Sequence, residues 1–178
     1  ALPGLCADQG MPACAVTDTN NLFGALEFSE TAKKAGVQPI IGCQLDLTYA
    51  KASRPDERAP NPLALVCIAM SEVGYRNLMA LSSRSYLEAG DAPHHVSRED
   101  LQECSTDVIC LTGGSLGPLG QLVRDSQLEA ASALLDELQA IYGDRLYVEL
   151  QRHGTDGAAR TVEEDQADRW FVEQAYAR

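Results

Sequence analysis

The 178-residue chain predicts an α/β fold in a single domain. Three observations carry that expectation. Short apolar runs of strand length alternate with longer stretches whose apolar residues recur at three-and-four spacing. Turn residues punctuate the boundaries between them. The composition, 45% hydrophobic and 22% charged, is that of a chain able to bury one core. Strands alternating with helices imply a mainly parallel sheet with crossovers, either an open doubly wound sheet or a closed (β/α) barrel.

The expected strands are Ala13–Thr17, Pro39–Leu47, Leu63–Ala69, Val108–Thr112 and Leu146–Leu150. Each is β-branched or continuously apolar, the pattern of strands buried on both faces. The first helix is expected over Leu22–Ala35, with Leu22, Ala25, Leu26, Ser29 and Ala32 in register and Gly36 as its stop. A second spans about Glu72–Glu88, a third Leu128–Tyr142 before Gly143, and a last Val162–Tyr176. The polar, Pro-bearing segment Tyr49–Pro62 reads as a surface loop or a long hairpin tip, and Asp91–Ser97 as another loop.

A formal net charge of -12 provides no electrostatic footprint for DNA, so any DNA handled alongside this chain is held elsewhere. The longest apolar run, LALVCIAM, is too short to cross a bilayer. The cysteines at 6, 14, 43, 67, 104 and 110 form no CxxC pair and sit largely in apolar runs, which fits reduced, buried thiols in the cytosol. The chain opens at ALPGLCADQG without an initiator Met, as a segment of a longer polypeptide would.

Four stretches are candidates for chemistry. Asp18 ends the first strand, where an α/β fold collects ligands, and is placed either to hold a metal or, like Asn20, to cap the next helix. Gln44 falls near the end of the second strand, but an amide brings no charge to a hard cation. The glycines of Thr112–Gly120 suggest a phosphate cradle or a plain tight turn, without the spacing of a nucleotide-binding loop. His153 follows the last strand, as a metal ligand or an ordinary polar histidine. His94 and His95 are adjacent and point apart in extended backbone.

Four strings carry a family resemblance. TDTNNLFGALEFSETAKKAGVQPIIGCQLDL is similar to TDHGNLFGA…F…A…GIKPIIGCE, SEVGYRNLMALSSRSYLEAG to EEGYRNLMKL…AYLEG, VICLTGGSLGPLG to LI.LSGCL.GE, and LYVELQRHG to Y.ELQ.HG. In this order they resemble the PHP domain of bacterial DNA polymerase III alpha subunits, over nearly the whole chain. The resemblance implies a distorted seven-stranded (β/α) barrel, here incomplete at both ends, with residues 1–178 a single partial PHP domain and the polymerase modules absent.

The resemblance also implies a site. Metal-binding members hold up to three ions, zinc or manganese, for phosphoester hydrolysis, and degenerate members serve as scaffolds. Asp18 and His153 match retained ligand positions. Thr19 stands where the metal-binding form has His, Gln44 where it has Glu, Ala64 where it has His, and Gly114 where it has Cys. Two ligands cannot fix a metal cluster, so no cofactor is expected for this chain, while the polymerase reaction of the parent uses magnesium. The expected role is a scaffold in DNA replication that helps to dock the proofreading exonuclease subunit alongside the rest of the holoenzyme, with no membrane contact. The alternative is an active metal-dependent phosphoesterase or 3'→5' exonuclease. A small-molecule module built on the Gly113–Gly120 turn is the third reading. The six marked residues are expected to cluster at the carboxyl ends of the strands.

Overall fold

The computed structural model describes residues 2–49, 61–151 and 162–178. Five strands form one sheet in the order β1 (Ala13–Thr19), β2 (Gln38–Leu47), β3 (Leu63–Ala69), β4 (Val108–Leu111) and β5 (Leu146–Tyr147). Around them lie α1 (Leu2–Asp8), α2 (Ala25–Lys34), α3 (Glu72–Leu87), α4 (Arg98–Glu103), α5 (Pro118–Arg124), α6 (Leu128–Tyr142) and α7 (Val162–Ala177). The α/β class is as expected. β1 and β5 are the edges, so the sheet formed by the described residues is open rather than closed.

The strands do not run mainly parallel. β1 pairs with β2 and β4 with β5 in parallel, but β3 is antiparallel to both of its neighbours. The cause is the connection. No described helix separates β2 from β3, and a strand that returns without a crossover reverses direction. The hairpin reading of 49–62 therefore holds at its base, and its tip, residues 50–60, lies outside the described residues.

Nor are the strands buried on both faces. Burial alternates along β2, where Cys43, Leu45 and Leu47 are fully covered while Gln44 and Asp46 are only partly so. Cys43, Leu45, Leu47, Leu65, Cys67, Val108 and Cys110 make one face of the sheet. They pack with Leu78 and Leu81 of α3, Leu119 of α5, Leu134, Leu138 and Tyr142 of α6, and Phe171 of α7. Each fully buried leucine contributes roughly 1.5–3 kcal/mol of transfer free energy. The opposite face carries Ile40, Gln44, Val66, Ile68, Ile109 and Leu111, all half-buried.

Local sequence explains where elements begin. Helix α2 starts at Ala25, later than Leu22, because Asn21 Oδ1 accepts the Phe23 N–H at 3.0 Å and turns the chain first. Helix α4 begins where a loop is expected to end. Its N-cap Ser97 and Asp100 form a reciprocal capping box, which stabilises a helix of six residues.

Candidate functional site

One end of the sheet gathers most of the marked residues. Thr19 and Gln44 are Cα partners in the β1–β2 ladder, and Asp46 and Ala64 are partners in the β2–β3 ladder. The alternation of strand side chains puts Thr19, Gln44, Asp46 and Ala64 on the half-open face. Ala64 arrives there from the amino end of β3, not from a carboxyl end, because β3 is reversed. The turn after β4 closes against the same strand: a Cβ built on Gly113 lies 2.3 Å from the Ala64 carbonyl oxygen. Gly114 follows, and a Cβ there would sit 2.8 Å from the Gln151 side chain.

Asp18 goes elsewhere. Its Cα partner is Cys43, so it lies on the helix-covered face, opposite Thr19 and Gln44. A Cβ on Gly24, the N-cap of α2, would come within 2.9 Å of Asp18 Oδ2, which places the carboxylate against the start of that helix. The site expected from Asp18, Thr19, Gln44, Ala64, Gly114 and His153 is thus divided by the sheet as far as Asp18 is concerned. His153 lies outside the described residues.

The capping alternative for this turn is not what the structure shows, since α2 has no side-chain cap. Asn20 instead clamps two strands. It adopts φ 55, a conformation that Asn tolerates, and is 6% exposed. Its Nδ2 donates to Asp46 Oδ2 at 2.9 Å and its Oδ1 accepts from the Asp46 N–H at 3.0 Å. Its own N–H donates to the Gln44 carbonyl at 2.7 Å, and its carbonyl accepts from Ser82 Oγ of α3 at 2.9 Å. No local pattern in the sequence marks this clamp, whose partners stand 26 residues apart.

Two carboxylates at this end have no counterpart among the marked positions. Asp46 stands two residues beyond Gln44 and is held by Asn20. Glu149 takes the Gln151 Nε2–H on Oε1 at 2.9 Å and donates its N–H to Thr112 Oγ1 at 3.0 Å, while its buried Oε2 has no hydrogen-bond partner among the described residues. Even so, no three His, Cys, Asp or Glu side chains among the described residues converge so as to hold a metal ion. Among the described residues the marked positions on this face offer a hydroxyl at Thr19, an amide at Gln44, and no side-chain donor at Ala64 or Gly114.

The glycine turn is accounted for by its own packing. Cβ atoms at Gly113, Gly117 and Gly120 would meet backbone oxygens of Ala64, Thr112 and Ser115 at 2.3, 2.3 and 2.2 Å. Gly113 and Gly114 also have positive φ, at 77 and 61. Arg124 donates to the Ser115 carbonyl and locks the loop.

The PHP domain profile matches residues 2–153. The chain belongs to the PHP domain family. Among curated proteins this PHP domain is 44% identical over 151 residues to a DNA polymerase III subunit alpha of Caulobacter vibrioides, covering 84% of the chain and 13% of that protein. It is 38% identical over 148 residues to the subunit of Thermus aquaticus, covering 80% of the chain and 12% of that protein. For Pseudomonas aeruginosa the match is 36% over 147 residues, 82% of the chain and 12% of that protein. The PHP domain therefore spans about an eighth of the length of these relatives. No described helix is long and apolar enough to cross a membrane.

Proposed function

We propose that this PHP domain serves DNA replication as a non-catalytic scaffold within a DNA polymerase III alpha-type polypeptide, with a degenerate metal site. The observation that carries the reading is the Thr19–Gln44 pair: one shared rung, on the face that would line the pocket, bears a hydroxyl and an amide in place of imidazole and carboxylate. Ala64 and Gly114 at the same end add no donor. A phosphoester hydrolase needs several hard or imidazole ligands that converge.

The remaining roles follow from that reading. Template-directed synthesis, with its magnesium ions, belongs to other modules of the polypeptide. DNA is held there too, since a net charge of -12 repels phosphates. The PHP domain presents a rigid frame in the cytosol to the rest of the holoenzyme and helps to seat the separate proofreading exonuclease subunit.

Asp46 and Glu149 favour a second reading, a metal-dependent phosphoesterase or 3'→5' exonuclease, because they bring two carboxylates to the same end. Metal analysis of the intact polypeptide separates the two. After dialysis against trace zinc and manganese, the scaffold reading expects no stoichiometric metal at the PHP domain. Two or three tightly held ions, lost on Asp46→Ala or Glu149→Ala, would install the hydrolase.

A further inference from the structure

Three pairs of cysteines are neighbours in this fold. Cys43 and Cys67 are Cα partners in one antiparallel ladder, and Cys67 and Cys110 in the next. Directly opposed residues in such ladders have Cα separations that a disulfide can span, about 4.5–5.5 Å. All three are fully buried. Burial pushes the Cys43 thiol up to about 12, and contact with Cys67 together with burial raises Cys110 further from ionisation. Tyr142 Oη lies 4.0 Å from Cys67 Sγ and seals the row from the α6 side. An oxidant in solution finds neither access nor thiolate there.

The third pair is differently placed. Cys6 in α1 and Cys14 near the start of β1 pack together in a small cluster with Ala32, Ala35 and Val37, separate from the main core. Cys14 is half-buried, so one sulfur of the pair is open to solvent. The chain between them is folded back: Gly10 takes φ 71, and the Met11 N–H donates to the Cys6 carbonyl at 2.8 Å, which fixes Cys6 over the strand. Burial raises the Cys14 thiol, and the nearby Cys6 thiol adds to this through a hydrogen bond and its charge.

We propose that Cys6 and Cys14 form a modification site, a dithiol that a low-molecular-weight disulfide oxidises to a bond stapling α1 to β1. Cys14 loses its proton to solvent and attacks one sulfur of the oxidant. The oxidant's S–S bond breaks and its second half leaves as a thiol. The Cys6 thiolate then attacks the Cys14 sulfur and expels the first half. Two protein thiols lose two electrons and two protons, and the oxidant gains them as two free thiols. The high thiol pKa makes the step slow at neutral pH and faster in alkaline solution.

The test is peptide mapping of the intact polypeptide after treatment with oxidised glutathione, acid quench and alkylation in denaturant. No Lys or Arg precedes Lys33 in this chain, so trypsin leaves both cysteines on one peptide, and cleavage before Asp8 separates them. The expected peptide lacks two hydrogens, resists alkylation, and stays joined after cleavage before Asp8 until it is reduced. Cys43, Cys67 and Cys110 are alkylated in the same sample. Full alkylation of Cys6 and Cys14, a glutathione adduct that stalls on Cys14, or a Cys67–Cys110 bond in its place would each overturn the proposal. Cys6→Ser and Cys14→Ser supply the second readout: oxidation raises the unfolding midpoint of the wild type by a few degrees and leaves both variants unmoved. A rise in the variants as well would assign the effect to another site.

Discussion

Thr19 and Gln44 occupy the last shared rung of the β1–β2 ladder, side by side on the half-open face, whereas Asp18 one residue earlier is turned to the helices. A single strand step separates a residue on the half-open face from one on the helix-covered face. This relation makes the proposed degenerate site testable by repair.

The double variant Thr19→His, Gln44→Glu restores an imidazole and a carboxylate side by side on that rung. The wild-type unfolding midpoint is expected to ignore zinc, while the variant's rises with it. A ligand that binds only the folded state at 100 times its Kd stabilises by about 2.7 kcal/mol. Without zinc, the new carboxylate near Asp46 makes the variant slightly less stable. Calorimetric scans with and without the metal check both signs. An equal zinc response in the wild type would mean that the existing residues already bind.

Asn20 offers a cleaner probe of the frame. Asn20→Ala removes both bonds to Asp46 and leaves its N–H and carboxylate short of partners, a cost of about 1–3 kcal/mol. It also puts Ala at φ 55, at roughly 1–2 kcal/mol more. Asn20→Gly loses the bonds without the backbone strain. Urea denaturation is expected to rank the wild type above Asn20→Gly and Asn20→Ala last. If Ala and Gly prove equal, the left-handed backbone at this position carries no energetic weight.

Two glycines with nearly the same φ separate strain from collision. Gly36 has φ 75 with nothing within 4 Å of its virtual Cβ, and Gly113 has φ 77 with the Ala64 carbonyl at 2.3 Å. Gly36→Ala is expected to cost about 1 kcal/mol, for backbone strain alone. Gly113→Ala forces the β4 turn off β3 and is expected to cost more than about 3 kcal/mol or to abolish soluble expression. Comparable denaturation midpoints for the two would refute the close approach at Gly113.

Much of this architecture was legible, and the exceptions have physical reasons. Leu63–Ala69 and Leu128–Tyr142 were readable to the residue because each is an unbroken apolar or periodic run bounded by turn formers. Strand direction was not, because apolar runs look alike in parallel and antiparallel ladders; only the missing helix between β2 and β3 pointed to the reversal. The last strand closes at Tyr147, short of Leu150, since Glu149 already bonds to the Thr112 side chain rather than to a ladder. Helix α4 had a readable mark in Ser97 and Asp100, three apart. The separation of Asp18 from Thr19 followed from the two-residue period of any strand, whereas the Asn20–Asp46 clamp spans 26 residues and has no local signature.

The Asp100 cap gives a pH dependence with a definite sign. Burial by itself would raise its carboxyl, but the Ser97 hydroxyl and N–H and the Arg84 guanidinium outweigh it and hold the group below its usual 3.8. A carboxyl depressed on folding adds stability above the unfolded value, and that stability is lost as the pH falls through the folded one. Asp100→Asn keeps the shape and discards the charge, at about 1–2 kcal/mol near neutral pH. The gap between wild type and variant in urea unfolding is therefore expected to be constant from pH 7 to about 5 and to close as the solution is acidified below the usual carboxylate range. Glu103, whose side chain is 64% open to solvent, pairs with the same arginine, and Glu103→Gln is expected to change stability by no more than about 0.5 kcal/mol at any pH. A gap for Asp100→Asn that persists at pH 2 would show that the cap acts through shape rather than through charge.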